Sequence, residues 1–235
     1  MDAASARYAF VDVETTGFTP ATCAVVEIGC LVVDHGRIVA TFETLVNPLQ
    51  PIPPRATAIH GIRDDDVARK PTLGMVAPIV RSVCSGAIVV AHNAAFDLAF
   101  LPFLQNSPSL CSYRLAARVV PEAPNHKNQT LRAFFKVCDP LLDGRSAHRA
   151  LADVIVTKHV FFACLTRYLR AGFPADIGSL LAFASTRIAR PPLNCHAELV
   201  EAPRRELPSC HAELVEAQRP SWRFGSMVST TTAAN

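Results

Sequence analysis

Within its 235 residues, no apolar run approaches the roughly 18–20 residues that span a bilayer; the longest candidates are Ala87–Ala91 and Val160–Leu165. Met1–Arg7 has no apolar stretch ahead of Tyr8, so the segment does not read as a secretory leader. Among the 8 cysteines there is no CxxC pair. Cys23, Cys30, Cys84 and Cys164 lie in or beside apolar runs, as small buried thiols do in a reducing compartment, so neither a disulfide framework nor a zinc site is expected. Lysine is scarce, 4 against 19 arginines, and a net charge of +3 is too small to establish a nucleic-acid partner by itself. These absences exclude membrane and secreted classes and leave a soluble cytoplasmic protein.

Half of the residues are apolar, enough for a sizeable core. Tyr8–Glu14 alternates and is rich in β-formers. Ala24–Asp34 and Arg37–Val46 follow as strands joined by a tight turn at His35-Gly36, then Pro48, Pro51, Pro53 and Pro54 mark a loop. Asp64–Arg69 and Thr72–Cys84 read as helices, Ala87–Ala91 as a buried strand, and Ala94–Leu104 as a helix with Phe96, Phe100, Leu101 and Leu104 on one side. After a short strand at Leu110–Ser112 come helices over Tyr113–Val119, Thr130–Val137, Ala147–Arg170 and Ala175–Ile188. Strands first and helices after predict a three-layer α/β domain with a mixed sheet of about five strands flanked by helices.

The last segment differs in kind. Cys195–Ala202 (CHAELVEA) recurs residue for residue as Cys210–Ala217. Two short copies make no solenoid, and adjacent Cys-His doublets fifteen apart do not match zinc-ligand spacing. Residues 1–188 are therefore expected to form the domain and 189–235 a disordered tail.

Three clusters could carry chemistry. Asp12 and Glu14 are two apart on the first strand and share a face, opposite Ala9, Val11 and Val13. Paired carboxylates leaving an apolar strand repel each other and suit a divalent cation, although a solvated strand end carries the same pattern. Thr15-Thr16-Gly17 then turns the chain, with backbone amides expected to lie open for a phosphate or sugar and Gly17 allowing close approach. In His92-Asn93-Ala94-Ala95-Phe96-Asp97, Asp97 falls near a helix start, where it is either a ligand or a carboxylate favoured by the dipole, and Asn93 can be a simple N-cap. In His148-Arg-Ala-Leu-Ala-Asp153, five helical residues turn about 140°, so the two side chains converge only if His148 precedes the helix. A mobile histidine beside a fixed carboxylate suits a base that must reach a water.

Phe10-Val-Asp-Val-Glu-Thr-Thr-Gly17, Ile59-His-Gly-Ile62, His92-Asn-Ala-Ala-Phe-Asp97 and His148-Arg-Ala-Leu-Ala-Asp153 together resemble the DEDD-type 3′–5′ exonucleases, histidine subclass. That group includes the proofreading epsilon subunit of bacterial DNA polymerase III, ribonuclease T and oligoribonuclease. The resemblance covers residues 7–170. It implies a ribonuclease H-like fold and two divalent ions, Mg²⁺ or Mn²⁺, with Asp12 bridging them, Glu14 and Asp153 completing one site and Asp97 supporting the other. It makes His148 the general base. It also implies that Thr15, Thr16 and Gly17 pack on the 3′-terminal nucleotide, with Asn93 lining the same pocket, His60 either lining it or bonding its own turn, and Phe18 either wedging near the last base or capping the core. The implied partner is a nucleic-acid 3′ end, single-stranded DNA ahead of RNA, with a DNA polymerase subunit as a further partner. No clamp-binding pentapeptide of the Gln-x-x-Leu-Phe kind follows the motifs, and Gln129–Phe135 has the periodicity of a packed helix instead. Two alternatives remain: an RNA-trimming enzyme of the same chemistry, and a non-catalytic nucleic-acid or polymerase-binding module.

Overall fold

The computed structural model of the protein describes residues 1–185. Five strands form one mixed sheet: β1 (Tyr8–Thr15), β2 (Val25–Asp34), β3 (Arg37–Leu45), β4 (Ile88–Ala91) and β5 (Ser109–Cys111), in the order β3-β2-β1-β4-β5. The β1–β2 and β2–β3 pairs are antiparallel, and β1–β4 and β4–β5 are parallel. β2 is buried on both faces along nearly its whole length, which is why VVEIGCLVV reads as a continuous apolar run. Positive φ at both His35 and Gly36 matches the right-handed twist of the hairpin they join.

Eight helices flank the sheet among the described residues: α1 (Pro54–His60), α2 (Asp64–Val67), α3 (Leu73–Val83), α4 (Ala94–Phe100), α5 (Ser112–Val119), α6 (Asn128–Phe134), α7 (Ala150–Arg170) and α8 (Ile177–Ser185). The two faces of β1 build separate cores. Tyr8 and Phe10 pack with Leu31, Val33 and the α7 residues Ile155 and Phe161, whereas Ala9, Val11 and Val13 pack with α3 and α4 through Val76, Val80 and Phe100. Asp12 and Glu14 continue the α7 side of the alternation, beyond the aromatic core. This is the three-layer mixed architecture expected from the element pattern. No described helix is long and apolar enough to cross a membrane.

One close contact sets where α7 begins. Gly29 lies opposite Asp12 in the β1–β2 register. A Cβ on Gly29 would lie 2.5 Å from the Ala150 carbonyl carbon and 2.6 Å from the Leu151 nitrogen. The first turn of α7 therefore rests directly on the β2 backbone, which brings Asp153 within reach of β1.

Several elements differ from the sequence reading. A helix, α1, occupies the second half of the proline-rich segment: Pro54 stands in its first turn, where a missing N–H costs nothing, and Gly61 closes it in the left-handed region at φ 75°. The helix expected to run to Leu104 stops at Phe100, and a 3₁₀ turn over Pro102–Leu104 replaces its end because Pro102 cannot continue the ladder. α7 starts at Ala150 instead of Ala147. The N-terminus is tied down, with Ala3 N donating to the Ala175 carbonyl at 2.8 Å and the Tyr8 hydroxyl donating to Ala3 O at 2.6 Å. Gln129–Phe134 lies in α6, whose Leu131 is fully buried, so this segment is a packed helix. The duplicated octapeptides lie outside the described residues.

Candidate active site

Asp12, Glu14 and Asp153 each offer a carboxylate oxygen within 4.8 Å of the others. Burial, followed by mutual repulsion among Asp97, Asp153, Glu14 and Glu27, pushes the Asp12 pKa well above the ordinary carboxylate range; Glu14 shifts the same way for the same reasons. Burial also raises Asp153, against the stabilising effect of His148 and Gln129. Asp97 stands outside this tight trio, buried in the first turn of α4. Burial pushes its pKa up to about 7 even though backbone N–H groups of Val13 and Asn93 bond to it. Four acids with raised pKa values, Asp97 and Asp153 buried and Asp12 and Glu14 half-buried, form an oxygen-only donor set of excess negative charge, the chemistry that a hard divalent cation fits.

Asp153 is oriented from both sides. Its Oδ1 accepts from Gln129 Nε2 at 2.5 Å and its Oδ2 from the His148 backbone N–H at 3.2 Å. His148 lies just before α7 with φ 59°, a left-handed conformation costly for a non-glycine residue. Its main chain is thus tied to the acidic cluster, and the residue as a whole is half-buried.

Glu27 is a site residue that sequence reasoning missed. It faces Glu14 directly across the β1–β2 pair, a like-charge arrangement that destabilises a sheet unless compensated. The compensation comes from Arg149: its Nε approaches both Glu27 oxygens at 3.1 and 3.0 Å and its Nη2 reaches Oε1 at 2.5 Å. Glu27 Oε2 also accepts the Ala150 N–H at 2.9 Å, so a strand residue caps α7, whose own N-cap side chain makes no capping bond. The available signal was one glutamate inside the apolar run VVEIGCLVV.

The substrate-side residues are arranged differently from one another. The Thr15 hydroxyl donates to Gly17 O at 2.7 Å. Thr16 Oγ1 accepts from Ala24 N at 3.0 Å and from Gln50 Nε2 at 2.7 Å. The Thr16 amide, expected to lie open, instead donates to Ala24 O at 2.9 Å because the turn folds back onto the start of β2. A Cβ on Gly17 would sit 2.7 Å from Cys23 Sγ, so the close approach there is made by Cys23. Phe18 is half-exposed with its ring 6.4 Å from that of Phe96. His60 is buried, its Nδ1 accepting the Ile62 N–H at 3.0 Å, and burial holds its pKa below the ordinary value. Asn93 is the α4 N-cap residue, but its side chain makes no capping bond.

Residues 9–161 match the model of a family described as exonuclease. The chain belongs to the exonuclease family. It is 32% identical over 184 residues to a DNA polymerase III PolC-type protein of Caldanaerobacter subterraneus, covering 74% of this chain but only 13% of that protein. It is 31% identical over 172 residues to the DNA polymerase III subunit epsilon of Treponema pallidum, covering 68% of this chain and 76% of the relative. Among solved structures, exonuclease X in complex with 5′ overhanging duplex DNA superposes with a TM-score of 0.63 at 30% identity, covering 75% of this chain and 99% of that one.

In this exonuclease-family chain the raised carboxyls have a consequence for stability. A folded-state pKa above the unfolded value means that the folded protein keeps protons the unfolded chain has released, so stability falls as pH rises through that window. For Asp97 the window runs from its ordinary value of 3.8 up to about 7. In EDTA, thermal melts should therefore give a lower midpoint at about pH 8 than at about pH 5. Mg²⁺ should raise the midpoint more at the higher pH, and a metal-free midpoint that rises with pH would contradict this electrostatic picture.

Proposed function

We propose that the protein is a metal-dependent 3′–5′ exonuclease that hydrolyses phosphodiester bonds at the 3′ end of single-stranded DNA and releases nucleoside 5′-monophosphates. The observation that carries this reading is the convergence of Asp12, Glu14 and Asp153 within 4.8 Å, with His148 bonded to Asp153. In this reading Asp12, Glu14, Asp97 and Asp153 hold two Mg²⁺ or Mn²⁺ ions, which when bound supply Lewis-acid stabilisation of the attacking and leaving oxygens. His148, on a fixed main chain, takes the proton from the attacking water. Gln129 and the His148 amide hold the Asp153 carboxylate in one orientation. Thr15, Thr16 and Gly17 shape the wall for the terminal nucleotide, with Phe18, His60 and Asn93 around it.

DNA is favoured by the relatives, which are named as parts of DNA polymerase III. Matched DNA and RNA oligonucleotides of one sequence, digested in parallel with Mg²⁺, test the choice: faster loss of the DNA supports it, and faster loss of the RNA overturns it in favour of an RNA-trimming enzyme. Pull-down with a polymerase subunit bears separately on the proposed polymerase partner.

The domain is proposed to end near residue 188. Deleting residues 191–235 should leave nuclease activity and melting temperature essentially unchanged, measured on the purified short and full chains. A large loss of either would place part of the domain beyond that boundary.

A further inference from the structure

The Glu27–Arg149 pair joins two sequence positions 122 apart at the start of α7. Arg149 directly follows His148, and Ala150, whose amide Glu27 accepts, is the first residue of the helix. On the other side of His148, Arg145 Nη1 binds both oxygens of Glu43 on β3 at 2.9 and 3.0 Å. The short segment carrying His148 is thus fastened to the β2–β3 hairpin before and after the histidine. The two fastenings differ in weight. Arg145, Glu43 and Arg149 are each about one-third exposed, so the difference lies in the carboxylate: the Glu27 side chain is fully buried. Exposed ion pairs contribute little, and a buried carboxylate held by a guanidinium fork and a backbone amide fixes geometry strongly.

We propose that Glu27 and Arg149 are positioning residues for His148: the pair sets the left-handed backbone at His148 and the direction from which its ring approaches the acidic cluster. This inference rests on the nuclease reading above. Neither residue need touch substrate. Arg149→Lys keeps the charge but loses the planar fork, so it separates geometry from electrostatics.

The test is a double-mutant cycle on the full-length protein with Mg²⁺ and a single-stranded DNA oligonucleotide, supported by thermal melts of each variant. Arg149→Lys is expected to lower kcat by on the order of 10²-fold, the cost of a small misplacement, with KM for DNA and the Mg²⁺ activation concentration changed by about twofold or less. Placed in a His148→Ala background, the same substitution is expected to cost about twofold or less, because the group it positions is gone. Glu27→Gln should behave in the same way; should it fail to fold, the lysine variant decides alone. Three results overturn the proposal: equal losses in both backgrounds, a rise in KM or in the Mg²⁺ requirement that accounts for the loss, or no loss at all. A wild-type protein without Mg²⁺-dependent nuclease activity instead defeats the nuclease reading, and this inference with it.

Discussion

Asp12→Ala is expected to lower turnover on single-stranded DNA by on the order of 10³-fold or more, since in the proposed mechanism Asp12 would hold divalent metal and its loss would remove several kcal/mol of transition-state stabilisation. Asp12 is central in the electrostatics of the site: Asp97, Asp153, Glu14 and Glu27 all act on it. The same substitution should leave the metal-free melting temperature unchanged or raise it, because it removes one of several mutually repelling acids. Lost activity without lost stability separates a catalytic role from a structural one. Turnover under saturating DNA and Mg²⁺, with a melt in EDTA, gives both numbers. Undiminished turnover would remove Asp12 from the mechanism, and a parallel collapse of stability would make it a folding residue.

Gly29→Ala is the second large effect, and it acts through the backbone. The new Cβ would meet Ala150 C at 2.5 Å, Leu151 N at 2.6 Å and Ala150 O at 2.8 Å. None of these atoms is a flexible side-chain end, and Glu27 holds the same turn through the Ala150 amide. Relief therefore requires α7 to move away from β2, at a cost of about 1–3 kcal/mol by analogy with overpacked cores. Asp153 and His148 move with that turn, so turnover should fall by on the order of 10²-fold. The Mg²⁺ needed for half-maximal activity should rise, which distinguishes this change from Arg149→Lys. Melting curves and Mg²⁺ titrations of the variant check it. An unchanged melting temperature and unchanged turnover would show that this contact does not place the helix.

The parts of this arrangement that were legible in the sequence are those with a local period. Asp12 and Glu14 share a face because a strand alternates, and the five-residue separation of His148 from Asp153 made their convergence conditional on His148 preceding the helix, although the helix itself was read as starting at Ala147, before the histidine. The central sheet was legible for the same reason, since β2 is a long apolar run buried on both sides. What stayed hidden depends on contacts between distant segments. Glu27 looks like one polar residue in an apolar strand until Arg149 meets it, and Gly29 looks permissive until the α7 backbone rests on it. Helix α1 was masked by four prolines that signalled a loop, although Pro54 at a helix start and Gly61 at its end were the marks of a helix. The Thr16 amide was expected to be open because the return of Ala24 beside it is a tertiary contact.

The most direct measurement follows a 5′-labelled single-stranded DNA oligonucleotide over time with Mg²⁺, while the released products are identified by mass. The proposed mechanism gives a ladder shortening one nucleotide at a time from the 3′ end, nucleoside 5′-monophosphates as products, and complete arrest by EDTA. Immediate release of the labelled 5′ nucleotide, internal fragments without a ladder, or cleavage that persists in EDTA would contradict it.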